Sequence, residues 1–182
     1  GRLLSDVILE QYRMVRKQDP KAVCCTNLYG EVMGLYKKGC LKLPEDIIFI
    51  WSDNGYGKMV SRRQWNRNPR IPSLPRQGEN GRHGIYYHAS FYDLQAASVL
   101  TMLPNAPSFV ASELAKVMQS GARAYWMINA SNVKPHTYYL DFLASIWRGE
   151  TELLSNPQRH LRRYISSYYG NAYDKEIQSL FL

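Results

Sequence analysis

The chain has 182 residues, 45% of them hydrophobic and 21% charged, which suffices for the core of one ordinary domain and does not describe a disordered chain. It contains no run of about 18 apolar residues, so no membrane-spanning helix is indicated, and three cysteines without a CxxC spacing support neither a disulfide framework nor a zinc site. The net charge of +8 is uneven: seven basic residues lie between Asn54 and Arg82 against one acid, Glu79, so one loop carries the positive character and points to an anionic ligand.

Leu4, Ile8, Tyr12 and Val15 recur at helical spacing, and Asp19-Pro20-Lys21 stops that helix. Residues 22–27 (AVCCTN) form a short strand in which Cys24 and Cys25 are expected as small buried hydrophobes. A helical stretch through Val32, Leu35 and Tyr36 ends near Gly39, and residues 47–51 (IIFIW) form the next strand. A long basic loop follows, punctuated by Pro69, Pro72 and Pro75, before a third strand at 84–88 (GIYYH) and an irregular segment to Pro107. Val110, Leu114 and Val117 share one face of a helix that Gly121 ends. Residues 124–129 (AYWMIN) are the fourth strand, and the remainder is helical at roughly 137–147, 157–169 and 172–181, divided by Gly or Pro.

Apolar strands alternating with helices or long loops predict an α/β fold with a parallel sheet buried on both faces, either half of an eight-stranded barrel or a small open sheet. In such folds ligands bind beyond the carboxyl ends of the strands. That rule selects Asn27 to Glu31, Ser52 to Gly57, Tyr86 to His88, and Asn129 to His136. Each candidate also has a plain structural reading. Asp53 suits a turn or cap, Glu31 suits the first turn of a helix, His88 suits a hydrogen-bonded core, and Glu113 suits a solvated helix face. The glycines of GYGK are too close for a P-loop, and neither GxSxG nor HExxH occurs. Most Tyr and Trp residues fall inside predicted strands and helices rather than among the arginines, which weighs against nucleic acid. Carboxylates at strand ends among Tyr, Trp, Asn, Lys and Arg suit acid–base chemistry on a sugar.

The segments LYGEVMGLYKKGCLKLPEDIIFIWSDNGYG, GRHGIYYHASFYD and GARAYWMINASNVKP, in this order and spacing, resemble the central barrel region of glycoside hydrolase family 115. The likeness covers roughly residues 1–150. It implies a large multidomain α-glucuronidase that removes α-1,2-linked glucuronic acid or its 4-O-methyl ether from xylan with inversion. It also implies that residues 1–150 are the C-terminal half of a (β/α)8 barrel of TIM type and that 151–182 begin a helical domain. Retained from the family pattern are Tyr29, Glu31, Trp51, Asp53, Tyr56, Tyr86, His88, Asn129 and Lys134. Asn54 stands where the family has the second acid of a pair, and Asn132 where it has another aspartate.

The leading expectation is therefore a glycoside hydrolase with Asp53 as acid–base residue, Glu31 second and Glu113 third. Arg62 or Arg63 would hold the sugar carboxylate, with Trp51, Asn54, Tyr56, Tyr86, His88, Asn129, Asn132, Lys134 and His136 as the other substrate-binding residues. No metal, cofactor, nucleic acid or membrane is expected. The partner is a carbohydrate with an acidic sugar, a homodimer is left open for the full-length protein, and unpaired cysteines without a signal-peptide pattern favour the cytoplasm. A carbohydrate-binding relative without catalysis is the alternative, followed by a nucleic-acid module using residues 58–82.

Overall fold

The computed structural model describes residues 1–61, 70–90, 105–131 and 133–181. The elements in chain order are α1 (Arg2–Gln18), β1 (Cys25–Leu28), α2 (Glu31–Lys37), β2 (Ile48–Ser52), β3 (Arg82–His88), α3 (Pro107–Gln119), β4 (Trp126–Asn129), a 3-10 turn at Lys134–His136, α4 (Thr137–Trp147), a second 3-10 turn at Thr151–Leu154, α5 (Pro157–Tyr169) and α6 (Asp174–Ser179). The four strands lie side by side in sequence order. β1–β2 and β2–β3 are parallel. The β3–β4 hydrogen bonds climb both strands in one direction, from Ala124 N–H on the His83 carbonyl to Ile85 N–H on the Tyr125 carbonyl. This is an α/β fold with a parallel four-stranded sheet. It divides into two compact units, Gly1–Tyr87 with Val117–Met127, and His88–Lys116 with Ile128–Leu182.

In the first unit β2 is the centre of the core, with all five residues buried. Phe49 and Trp51, two apart on one face of the strand, meet the ring of Tyr36 from α2 at centroid distances of 5.1 and 5.6 Å. The indole N–H of Trp51 donates to Nδ1 of His83 at 3.1 Å, and Nε2 of His83 lies 3.2 Å from the Asn80 carbonyl. With Nδ1 accepting, the proton belongs on Nε2, where it donates to that carbonyl; the tautomer is set by its two neighbours. Gly84 in β3 has an ordinary φ but no room: a Cβ there would stand 2.1 Å from the Tyr125 carbonyl oxygen.

The expectation of burial on both faces holds for β2 and fails for β1. There Cys25 and Asn27 are exposed and Cys24 is part-buried, so the cysteines are not the buried hydrophobes that their apolar neighbours suggested. Among the described residues β1 is an edge strand with a sheet neighbour on one side only. The connection from β2 to β3 is more ordered at its base than a plain loop. Ser61 N–H donates to the Ile71 carbonyl and Ser73 N–H to the Met59 carbonyl, around an antiparallel bridge between Val60 and Pro72.

In the second unit α4 buries Tyr138, Tyr139, Phe142, Leu143 and Ile146, and α5 buries His160, Leu161, Tyr164 and Ile165. Both patterns follow the i, i+1, i+4, i+5 spacing of a stripe one helix face wide. Nε2 of His160 sits 3.0 Å from a carboxylate oxygen of Asp141, and its ring is flanked by Tyr138 and Phe142.

His136 and His160 are both fully buried. Burial pushes the pKa of each below the usual histidine value, and at His160 the Asp141 carboxylate pulls the other way without cancelling the shift. An unfolded histidine takes up a proton near pH 6.5, whereas these two resist it when folded, so the unfolded state binds more protons as pH falls through that value. Their contribution to stability is complete above about pH 7 and declines below about pH 6.5 towards the lower, folded pKa values. Thermal melts should show Tm falling between about pH 7.5 and 5.5, with a smaller fall in His136→Gln; a Tm flat over that range would contradict the assignment. Asp46, lowered by its hydrogen bond from Tyr12, and Glu150, lowered by Arg163, titrate in a separate window below about pH 4.5.

Candidate functional site

The loop that leaves β2 is folded by the first two side chains beyond the strand. Asp53, 1% exposed, accepts the Gly55 N–H on Oδ1 at 3.0 Å and the Gly57 N–H on Oδ2 at 2.8 Å. Asn54 accepts the Tyr56 N–H at 2.9 Å and the Lys58 N–H at 3.2 Å, both on Oδ1. Four consecutive amides, 55 to 58, are thus held alternately by two neighbouring side chains. The chain must curl tightly to present them, and it does so at Gly55 (φ 87) and Gly57 (φ 75), a region where glycine is at no disadvantage. The Asp53 N–H donates to the Tyr86 carbonyl at 3.1 Å, which fastens the loop to β3.

Chemically, this is a fixed carboxylate at a strand end inside a loop whose amides are already satisfied. Backbone N–H groups 55–58 therefore do not form an anion-binding nest.

The remaining candidates of the first unit differ in access. Tyr56 is exposed and Tyr86 part-buried. Glu31 is exposed as the first residue of α2, after Gly30 at φ 54. Trp51 is fully buried on the side of the strand that faces Tyr36, with its N–H on His83, so it supports the strand and presents no polar atom to a ligand.

In the second unit the end of β4 repeats the local device. Asn129 Oδ1 accepts the Ser131 N–H at 3.1 Å, with Ser131 at φ 46, and the Asn129 carbonyl accepts the N–H groups of Ala89 and Ser90. This places the residue after His88 directly beside Asn129. His88 is buried and Lys134 is exposed. His136 is buried with no hydrogen bond to either ring nitrogen. Glu113 is buried and paired with Lys116, so it does not occupy the solvated helix face that its mid-helix position suggests. Arg62, Arg63 and Asn132 lie outside the described residues. Sequence reasoning missed His83 as the anchor of Trp51; nothing in the chain marks a bond between residues 32 apart. Among the described residues no group of three or more His, Cys, Asp or Glu comes together, and no helix is long and apolar enough to cross a membrane.

The chain belongs to glycosyl hydrolase family 115, whose family model matches residues 1–182. Among solved structures it is similar in fold to a family GH115 4-O-methyl-α-glucuronidase described as having specificity for decorated arabinogalactans. The TM-score is 0.73 at 22% sequence identity, covering 97% of this chain and 22% of that one. The chain thus spans about a fifth of the length of that enzyme. No curated protein matches it.

Proposed function

We propose that the chain is part of a glycoside hydrolase that removes glucuronic or 4-O-methylglucuronic acid side chains from xylan-type or similarly decorated oligosaccharides by carboxylate acid–base catalysis. The observation that carries this reading is the family match over the whole chain, joined to a strand-end loop that holds the Asp53 carboxylate in a fixed place. Asp53 is the first choice for the acid–base residue, Glu31 the second and Glu113 the third. An inverting reaction needs two carboxyl groups about 6.5–9.5 Å apart, with room for the attacking water. Arg62 or Arg63 would bind the sugar carboxylate through two parallel hydrogen bonds. The other substrate-binding candidates are Trp51, Asn54, Tyr56, Tyr86, His88, Asn129, Asn132, Lys134 and His136, of which Trp51, His88 and His136 are buried.

On this reading the four β/α units are the C-terminal half of a (β/α)8 barrel, further strands join at the free edge of β1, and the helices beyond residue 150 open a helical domain. The 182-residue chain by itself is then inactive. The test is release of glucuronic or 4-O-methylglucuronic acid from glucuronoxylan oligosaccharides and acidic arabinogalactans by the full-length protein and by the isolated chain. Turnover by the isolated chain would refute the half-barrel reading.

A second reading, a carbohydrate-binding relative without turnover, is favoured by Asn54, whose amide oxygen already holds two loop amides. Both bonds go to Oδ1, an atom that aspartate also has, so Asn54→Asp should fold normally, with stability within about 1 kcal/mol of the parent. A full-length parent that binds acidic oligosaccharides without cleaving them, together with cleavage by Asn54→Asp, would establish this second reading. Cleavage by the parent establishes the first.

A further inference from the structure

Away from the Asp53 loop, the first unit holds a groove of about 510 Å³ between the end of α2 and the turn at residues 76–79. Its size is that of a small-molecule site. Gly39 and Gly78 line it with φ of +70° and +75°, and nothing lies within 4 Å of where a Cβ would stand on either.

The charges around this space do not balance locally. Lys37 sits 5.2 Å above the Trp51 ring and donates to the Pro72 carbonyl. Arg76 is exposed, and among the described residues its guanidinium makes no hydrogen bond or ion pair. The one acid, Glu79, has both oxygens engaged: Oε1 accepts the Tyr36 hydroxyl at 2.8 Å and Oε2 the Arg76 backbone N–H at 2.7 Å. Burial lowers the pKa of Lys37, Glu79 opposes that shift and Arg76 adds to it, so the two cations feel each other's repulsion across the groove. An anion placed there would relieve that repulsion and give Arg76 a partner.

We propose that this groove is a secondary binding site for a carboxylate-bearing sugar, a uronate unit of the glycan, separate from the strand-end loop of Asp53. The carboxylate meets Arg76 through parallel N–H donors, with Lys37 as a second positive charge. Leu41 and the Tyr36 ring supply apolar surface for the sugar face. The inference rests on the reading of the protein as one that acts on acidic glycans.

The test is calorimetric titration of the full-length protein with methyl β-glucuronoside, neutral methyl β-glucoside and sodium acetate at low salt, in the parent, Arg76→Ala and Lys37→Met. Arg76 is exposed, so its removal does not threaten the fold. The expected result is a glucuronoside-binding event weakened at least about tenfold in Arg76→Ala, weaker also in Lys37→Met, and not reproduced by glucoside or acetate at equal concentration. Equal glucuronoside affinity in parent and Arg76→Ala overturns the site, as does glucoside or acetate binding as tightly as glucuronoside. The two readings fail separately: Arg76-dependent binding with no hydrolysis by the parent supports the groove and defeats the glycosidase, whereas hydrolysis with binding indifferent to Arg76 does the reverse.

Discussion

Replacing Asp53 by alanine is expected to cost roughly 2–6 kcal/mol of stability, because it strands two buried amide donors at about 1–3 kcal/mol each. Those donors are the N–H groups of Gly55 and Gly57, held on Oδ1 and Oδ2. Asp53→Asn retains one accepting oxygen but turns an NH2 group towards the other donor, so its cost should be roughly half, about 1–3 kcal/mol. Urea denaturation of both variants measures this order. Turnover then separates the structural role from the chemical one. Activity lost in Asp53→Ala identifies no proton carrier, since the loop has lost its frame. In Asp53→Asn most of the frame stays while the proton-transferring group is gone, and a drop of at least about a hundredfold in kcat of the full-length protein is expected of an acid–base residue. An Asp53→Asn enzyme working at near-parental rate would reduce Asp53 to a loop anchor.

Gly84→Ala should be comparably severe for a different reason. The added methyl group would stand 2.1 Å from the Tyr125 carbonyl oxygen and 3.1 Å from Cδ1 of Ile50. That same carbonyl accepts the Ile85 N–H at 2.9 Å, and Ala124 N–H donates to His83 at 2.7 Å just before it. Room for the methyl group comes only from parting β3 and β4, which disturbs both bonds. A loss of about 3 kcal/mol or more is expected, equivalent to a Tm lower by about 6–12 °C at this chain length. A Gly84→Ala protein melting within about 2 °C of the parent would mean that the seam adjusts freely.

Much of the architecture was legible in the residues. α4 and α5 run from 137 to 147 and from 157 to 169, where apolar periodicity broken by Gly149 and Pro157 places them. All four strands occur where the apolar runs are, though β1 begins at Cys25 rather than Ala22 and β3 at Arg82 rather than Gly84. Burial was less legible. An apolar strand looks alike at the centre or edge of a sheet, and only the neighbours distinguish β2 from β1, so the exposure of Cys25 was hidden. A single acid on a helix gives no sign of which face it occupies, which is why Glu113 was expected in solvent. At the candidate site, the sequence Asp-Asn-Gly-Tyr-Gly announced a turn. The alternation of its four hydrogen bonds depends on two glycines at positive φ, and the bond from Trp51 to His83 depends on strand register; neither is written locally.

The free edge of β1 has a practical consequence for anyone preparing the chain alone. Among the described residues no strand pairs with the outer side of β1, which leaves that edge as a ready template for a second strand. Leu3, Val7 and Met14, exposed on one face of the preceding helix, add an apolar stripe to the same unit. An isolated preparation should therefore associate as its concentration rises, and a solubilising charge at Cys25 or Asn27 is the first remedy to try before its binding properties are measured.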